Sequence, residues 1–181
     1  MTSGTETTET ATLTGERADL LQALAKARHF LRYTTKDLGD EQARQRTTVS
    51  ELTIGGLIKH VTSCERNWTS FIEHGPSVAP DFTNLTEADY KAWSEGFKLL
   101  PGETLAGALA EYEAVAKRTD DLVATLPDLD ASHLLPPAPW NEPGARWSAR
   151  RTLLHIAHET AQHAGHADII RESLDGQKTM G

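Results

Sequence analysis

Four of the eight histidines fall within twelve positions near the C-terminal end, in the run RRTLLHIAHETAQHAGHADIIRE, which carries His155, His158, His163 and His166 together with Glu159. Read as a helix advancing about 100° per residue, His155 at zero puts His166 at about 20°, Glu159 at about 40° and His163 at about 80°. These four share one narrow arc, which overlaps and continues into the apolar arc of Ile156, Ala164, Ala167 and Ile170. His158 falls on the opposite flank with Gln162 and Glu172, towards solvent.

A histidine in an apolar seam needs a hydrogen-bond partner or a metal, because an unsatisfied buried imidazole costs roughly 1–3 kcal/mol. Glu159 and His163, at i and i+4, project together and can grip one ion. A carboxylate buried there without a cation would cost still more. Far upstream, His60 sits at the margin of a second apolar stripe: with His60 at zero, Phe71 falls at about 20°, Cys64 at about 40°, Leu57 at about 60° and Trp68 at about 80°. Helix bundles build metal sites this way, one helix giving a pair of ligands a turn apart and a facing helix giving the rest. Two imidazoles and a carboxylate suit zinc, nickel or ferrous iron, and three protein ligands leave a position open for water or substrate. Spacing alone also admits triads in which His155 or His166 replaces Glu159, and a metal-free cluster held by hydrogen bonds.

The elements that must position these residues are helical. Leu20, Leu24, Ala27 and Leu31 step by four and three, which predicts a helix from about Glu16 to Lys36. The polar run GDEQARQRTT follows, and Ser50 is the expected N-cap of a second helix that Gly75-Pro76 stops after His74. A proline-punctuated connection holds a short extra helix at about Glu87 to Leu99. Leu105, Leu109, Tyr112, Val115, Leu122 and Leu126 predict a third long helix from Glu103, ended by Pro127. The four prolines of HLLPPAPWNEPGARW make a semi-rigid surface loop, after which Ser148 opens the last helix and Asp175-Gly176 closes it. The fold expected is all-α: an up-and-down four-helix bundle with room for one crossover connection. Residues 1–14, polar and without periodicity, read as a flexible tail, and 15–181 as a single domain.

Composition narrows the function. A net charge of -8 opposes binding to phosphate backbones and anionic lipid, so neither nucleic acid nor a membrane is an expected partner. A single cysteine, Cys64, excludes an intramolecular disulfide and any multi-cysteine metal site, as expected of a reducing compartment. The N-terminus has neither the basic nor the apolar region of a signal peptide, and no stretch approaches the length of a membrane span, so the expected location is cytoplasmic.

The pairing of SELTIGGLIKHVTSCERNW with the distant LLHIAHETAQHAGHADIIRESLDG resembles the DinB-like superfamily, most closely the actinobacterial branch grouped with mycothiol-dependent transferases. The resemblance extends over roughly residues 16–176 and implies a four-helix bundle, often homodimeric, with a divalent metal held by one histidine of the second helix and two ligands a turn apart on the last. Carried onto this chain, the ligands fall on His60, at the LxxH position of GGLIKH, and on Glu159 and His163. Two positions depart from the superfamily pattern: many members have histidine where Glu159 stands and glutamine where His166 stands. The first departure keeps a ligand and lowers the charge of the site by one.

The chemistry implied is thiol transfer. A free thiol titrates near 8.5, and coordination to a divalent cation deprotonates it at neutral pH. The expected activity is thus a metal-dependent S-transferase in which a low-molecular-weight thiol, mycothiol-like, attacks a small electrophile such as an epoxide, activated alkene or halide. His155 or His166 would orient a ligand or shuttle a proton. Arg171, on the apolar side of the last helix, is a candidate for a thiol carboxylate, against the alternative that it pairs with a helix neighbour. Cys64 reads as a small core residue, Trp68 as core, and Glu65 as either a partner behind a ligand histidine or one half of a salt bridge to another helix. A non-catalytic metal- or ligand-binding stress protein and a metal-assisted hydrolase are the alternative readings. A mycothiol-dependent maleylpyruvate isomerase would be expected to carry a further C-terminal domain, which disfavours that reaction.

Overall fold

A computed structural model describes residues 13–78 and 83–180; of the expected N-terminal tail, residues 1–12 lie outside the described part. Four long helices carry the fold: α1 (Glu16–Tyr33), α3 (Ile54–His74), α5 (Leu105–Thr125) and α6 (Ala149–Asp175). Between them lie two short helices, α2 (Asp40–Arg44) and α4 (Glu87–Glu95), a 3-10 turn at Gly75–Val78, and a two-stranded antiparallel hairpin, β1 (Ser132–Leu134) with β2 (Arg146–Ser148).

Local chemistry sets most of the boundaries. Thr34 and Thr35 hydroxyls donate to the Leu31 and Arg32 carbonyls at 2.7 Å, occupying acceptors of the last turn, so α1 stops at Tyr33 and not at Lys36. The N-cap of α3 is Thr53, whose hydroxyl accepts from the Gly56 N–H at 3.2 Å; Ser50, the expected cap, accepts from Leu52 instead. Thr104 caps α5 and Ser148 caps α6 in the same manner, and Gly176 closes α6 in the left-handed conformation at φ 81°. The extra helix α4 ends at Glu95, opened by a capping box between Thr86 and Asp89, and it buries no side chain.

Two segments differ from the sequence reading. The polar run at 40–44 is a helical turn, where the Asp40 carboxylate accepts from the Leu105 N–H at 2.8 Å and so caps α5 from outside. The loop expected across 133–147 is a hairpin whose strands pair His133 with Trp147 and whose four prolines all fall between the strands, where no ladder N–H is needed.

Around the bundle, α1 packs on α6, α6 on α3, α3 on α5, and α5 more loosely on α1. Helices α1 and α3, and likewise α5 and α6, follow one another in the chain but face across the diagonal. Two connections therefore cross it, one through α2 and one through the hairpin. The core is divided lengthwise: one apolar cluster centres on Leu31, Leu57, Ile58 and Leu105, the other on Leu24, Ile72, Val123 and Leu153.

Between the two clusters runs a polar waist. The Arg28 guanidinium of α1, 5% exposed, grips the fully buried Glu65 of α3 through Nη2 and Nε, and its Nη1 reaches Asp120 of α5 at 2.8 Å. Thr69 and Thr119 hydroxyls meet at 3.0 Å beside this pair. Removing one partner of a buried ion pair strands the other charge in low dielectric. Glu65→Ala is thus expected to cost about 3–5 kcal/mol of stability, read as a fall in the urea midpoint; a change within 1 kcal/mol, as for a surface pair, would contradict the reading.

Candidate metal centre

His60 lies on the second turn of α3, and Glu159 and His163 lie one turn apart in the middle of α6. Because α3 and α6 are neighbours in the bundle, the three side chains converge, with one ligand-type atom from each falling within 4.8 Å of the others. His163 Nε2 stands 3.7 Å from Glu159 Oε2, and the His60 and His163 rings meet edge to face with centroids 4.7 Å apart. The spacing fits an ion. Two ligands each about 2.1 Å from a common tetrahedral centre are about 3.4 Å apart, so a cation closes the triangle with small side-chain movements.

The protonation states suit a cation as well. Burial, with the His163 ring beside it, pulls the His60 imidazole down to about 4 against the opposing attraction of Glu159. His60 therefore presents a neutral ring with a free lone pair at physiological pH. The Glu159 carboxyl is held below its ordinary value, chiefly by the His163 ring and against the cost of burial, so it is anionic. His163 Nδ1 lies 3.3 Å from His166 Nδ1. When that contact carries the His163 Nδ1 proton, the lone pair at Nε2 faces the centre, the tautomer that ligation requires.

The approach of Phe97 to His60 depends on two glycines. A Cβ on Gly56 would stand 1.9 Å from the Phe97 carbonyl oxygen, and one on Gly55 would stand 2.3 Å from the Leu99 Cδ1. Without those atoms the segment after α4 lies directly against α3, and the Phe97 ring stacks on His60 at 4.0 Å with 18° between planes. Phe97 falls in the short helix expected at about Glu87 to Leu99, where no pattern assigns it a role; the glycine pair ahead of LIKH is the sequence signal of a close approach to α3.

A comparison of the sequence with known families bears on this geometry: a family model described as mycothiol-S-transferase matches residues 19–176. The chain belongs to that family. The match spans all four long helices and the three converging residues. No curated protein matches the chain. Among solved structures, a conserved protein from Enterococcus faecalis superposes with a TM-score of 0.67 at 13% identity, covering 91% of this chain and 100% of that one. YfiT from Bacillus subtilis, described as a probable metal-dependent hydrolase with an unusual four-helix bundle topology, superposes with a TM-score of 0.59 at 16% identity, covering 89% of this chain and 91% of that one. Both likenesses show the four-helix bundle fold of this mycothiol-S-transferase family member.

The remaining residues singled out from the sequence divide. His155 Nε2 stands 4.0 Å from Glu159 Oε1, with its ring in T-shaped contact with Trp68 and Trp147, centroids 4.9 Å from each. His158 is exposed. Arg171, 3% exposed, donates to Asp175, Gln177 and the carbonyls of Thr34 and Lys36. It ties the end of α6 to the end of α1, which answers to pairing within the protein and leaves no donor for a thiol carboxylate. Glu65 takes the salt-bridge alternative described above. Cys64 stays out of the converging triad; burial first, then the negative charges of Glu159 and Glu65, pushes its thiol up to about 12. No helix among the described residues is long and apolar enough to cross a membrane.

Two measurements follow from the titration behaviour. In metal-free protein the unfolded chain takes up a proton at His60 near 6.5 while the folded chain resists it down to about 4. The contribution is complete above the unfolded value and is lost as pH falls through that window. The urea midpoint of metal-free protein should drop there, and less steeply in His60→Gln. For Cys64, alkylation by iodoacetamide at neutral pH should run at least about a hundredfold slower in folded than in urea-unfolded protein, because only the thiolate reacts. Equal rates would contradict its burial.

Proposed function

We propose that the protein is a divalent-metal-dependent thiol S-transferase, acting in the cytoplasm on a low-molecular-weight thiol and a small electrophile, with residues 15–181 as the working domain. The observation that carries this reading is the convergence of His60, Glu159 and His163 from two neighbouring helices in a chain of the mycothiol-S-transferase family. Two imidazoles and a carboxylate suit zinc first, with nickel or iron as the other candidates.

A divalent ion, which His60, Glu159 and His163 would hold, would supply one thing: a lowered thiol pKa, so that a thiolate is available at neutral pH. The protein's own residues do the rest. His60 offers a neutral nitrogen lone pair, His163 brings its Nε2 beside Glu159, and Glu159 offers the one negative charge of the set. His166 holds the His163 ring through the Nδ1 contact. The Phe97 ring covers one face of His60 and keeps water from it. His155, whose pKa is lowered chiefly by burial and whose Nε2 stands 4.0 Å from Glu159, would be the base that takes up the thiol proton. The sulfur forms a bond to the electrophilic carbon while a leaving group departs or an epoxide or alkene takes the electron pair.

The likeness to YfiT keeps a metal-assisted hydrolase as the second reading. Metal content measured on untagged protein separates the alternatives when followed by product analysis with and without thiol. Near-stoichiometric metal in wild type, lost in His60→Ala and His163→Ala, with product formed only when thiol is present, is the expected result. His166→Ala should weaken metal affinity by about 10–100-fold without abolishing it. Product formed equally without thiol would favour hydrolysis, metal with neither activity would favour a binding protein, and no metal under any loading condition would sink both catalytic readings.

A further inference from the structure

Arg151 is the exception among eleven arginines. Each of the other ten guanidinium groups donates to, or pairs with, a carboxylate or a backbone carbonyl. Arg151 has no such acceptor among the described residues. It lies instead over the ring of Trp147, with its central carbon 4.2 Å from the centroid. Trp147 in turn stacks with Trp68 at 4.8 Å, and both rings abut His155. A ring contact of this kind does not consume the five N–H donors of the guanidinium, none of which meets an acceptor among the described residues. A cation fixed in this way keeps its fork for a planar anion, and a carboxylate matches it with two parallel hydrogen bonds.

Its position in the fold connects it to the candidate metal centre. Arg151, His155, Glu159 and His163 stand at successive i,i+4 positions of α6, so they form one slowly turning stripe. The two turns from 151 to 159 measure about 12 Å at 1.5 Å per residue. Between the ends lies a cluster of rings, Trp147, Trp68 and His155, packed on one another. A molecule bound along this stripe meets a cation at one end, aromatic rings in the middle, and the triad at the other.

We propose that Arg151, held over the ring of Trp147, is the specificity-determining residue for the second substrate: it binds the carboxylate of an elongated aryl or unsaturated acid whose far, electrophilic end lies at the triad. This rests on the transferase reading for the word substrate, but the binding itself does not. The distance from Arg151 to the triad excludes a two- or three-carbon acid, which cannot touch both ends.

The test uses the full chain freed of metal by chelation, so that no ion can bind the probe. Trans-cinnamate and trans-cinnamide, alike in shape and differing by one charge, are titrated calorimetrically at low salt and neutral pH into wild type, Arg151→Gln and Arg151→Lys. Wild type should bind cinnamate about tenfold tighter than cinnamide, the range of one charge-assisted contact at a partly exposed site. Arg151→Gln should remove that preference and leave cinnamide unchanged, and Arg151→Lys should keep part of it, as a point charge without the fork. Equal affinity for the two probes in wild type, a preference that survives in Arg151→Gln, or no binding of either probe would each overturn the proposal. Loss of metal binding or of thiol transfer with the charge preference intact would instead count against the transferase reading and leave the role of Arg151 standing.

Discussion

The buried pair of Arg28 and Glu65 is the constraint around which the bundle is arranged. A fully buried carboxylate is tolerated only because a guanidinium from a different helix meets it in two places, and that guanidinium also reaches a third helix. The register of α1 against α3 is thus fixed by charge at mid-height, where apolar side chains alone would allow sliding. The two hydrophobic clusters then fill the halves above and below. Threonines line the waist because a hydroxyl can return its hydrogen bond to the helix's own carbonyls, as Thr62 and Thr119 do, or to a facing hydroxyl.

The waist also explains the chemistry available to its neighbours. Glu159 and His163 occupy α6 at the level between the two clusters, half-buried and close to groups that are already polar. Burial is deep enough to strip His60 of its proton and shallow enough to leave a side of the centre open. The His163–His166 contact adds a second constraint, since a ring held at one nitrogen is aimed at the other. The aromatic rings on both flanks, Phe97 over His60 and the tryptophan pair beside His155, restrict water without contributing charge.

Much of this was legible in the sequence, for identifiable reasons. The four long helices announce themselves by stripes such as Leu20, Leu24, Ala27 and Leu31, and α6 by a serine cap and a glycine stop. The pair Glu159 and His163 is a local matter of one helical turn, so spacing suffices; joining His60 to it needs the adjacency of α3 and α6, which periodicity does not encode and the family resemblance implied. The short elements escaped because they have no pattern of their own. Helix α2 exists because Ala43 is buried and Asp40 caps another helix, and the hairpin is held by pairing across eleven intervening residues that read as loop. Arg171 looked ambiguous because its acceptors, Thr34 and Lys36, are 137 and 135 positions away.

The glycine pair at the start of α3 makes the site adjustable from one direction only. The wall over His60 is positioned by backbone touching backbone, since the Phe97 carbonyl occupies the space a side chain at position 56 would need. Trimming the ring at position 97 would enlarge the opening while the chain path stays put. Any residue larger than glycine at 56 would push that path outward and draw Leu99 from the core with it. Variation in the size of the opening beside His60 therefore falls to the side chains of the segment after α4, while the helix that carries His60 stays fixed.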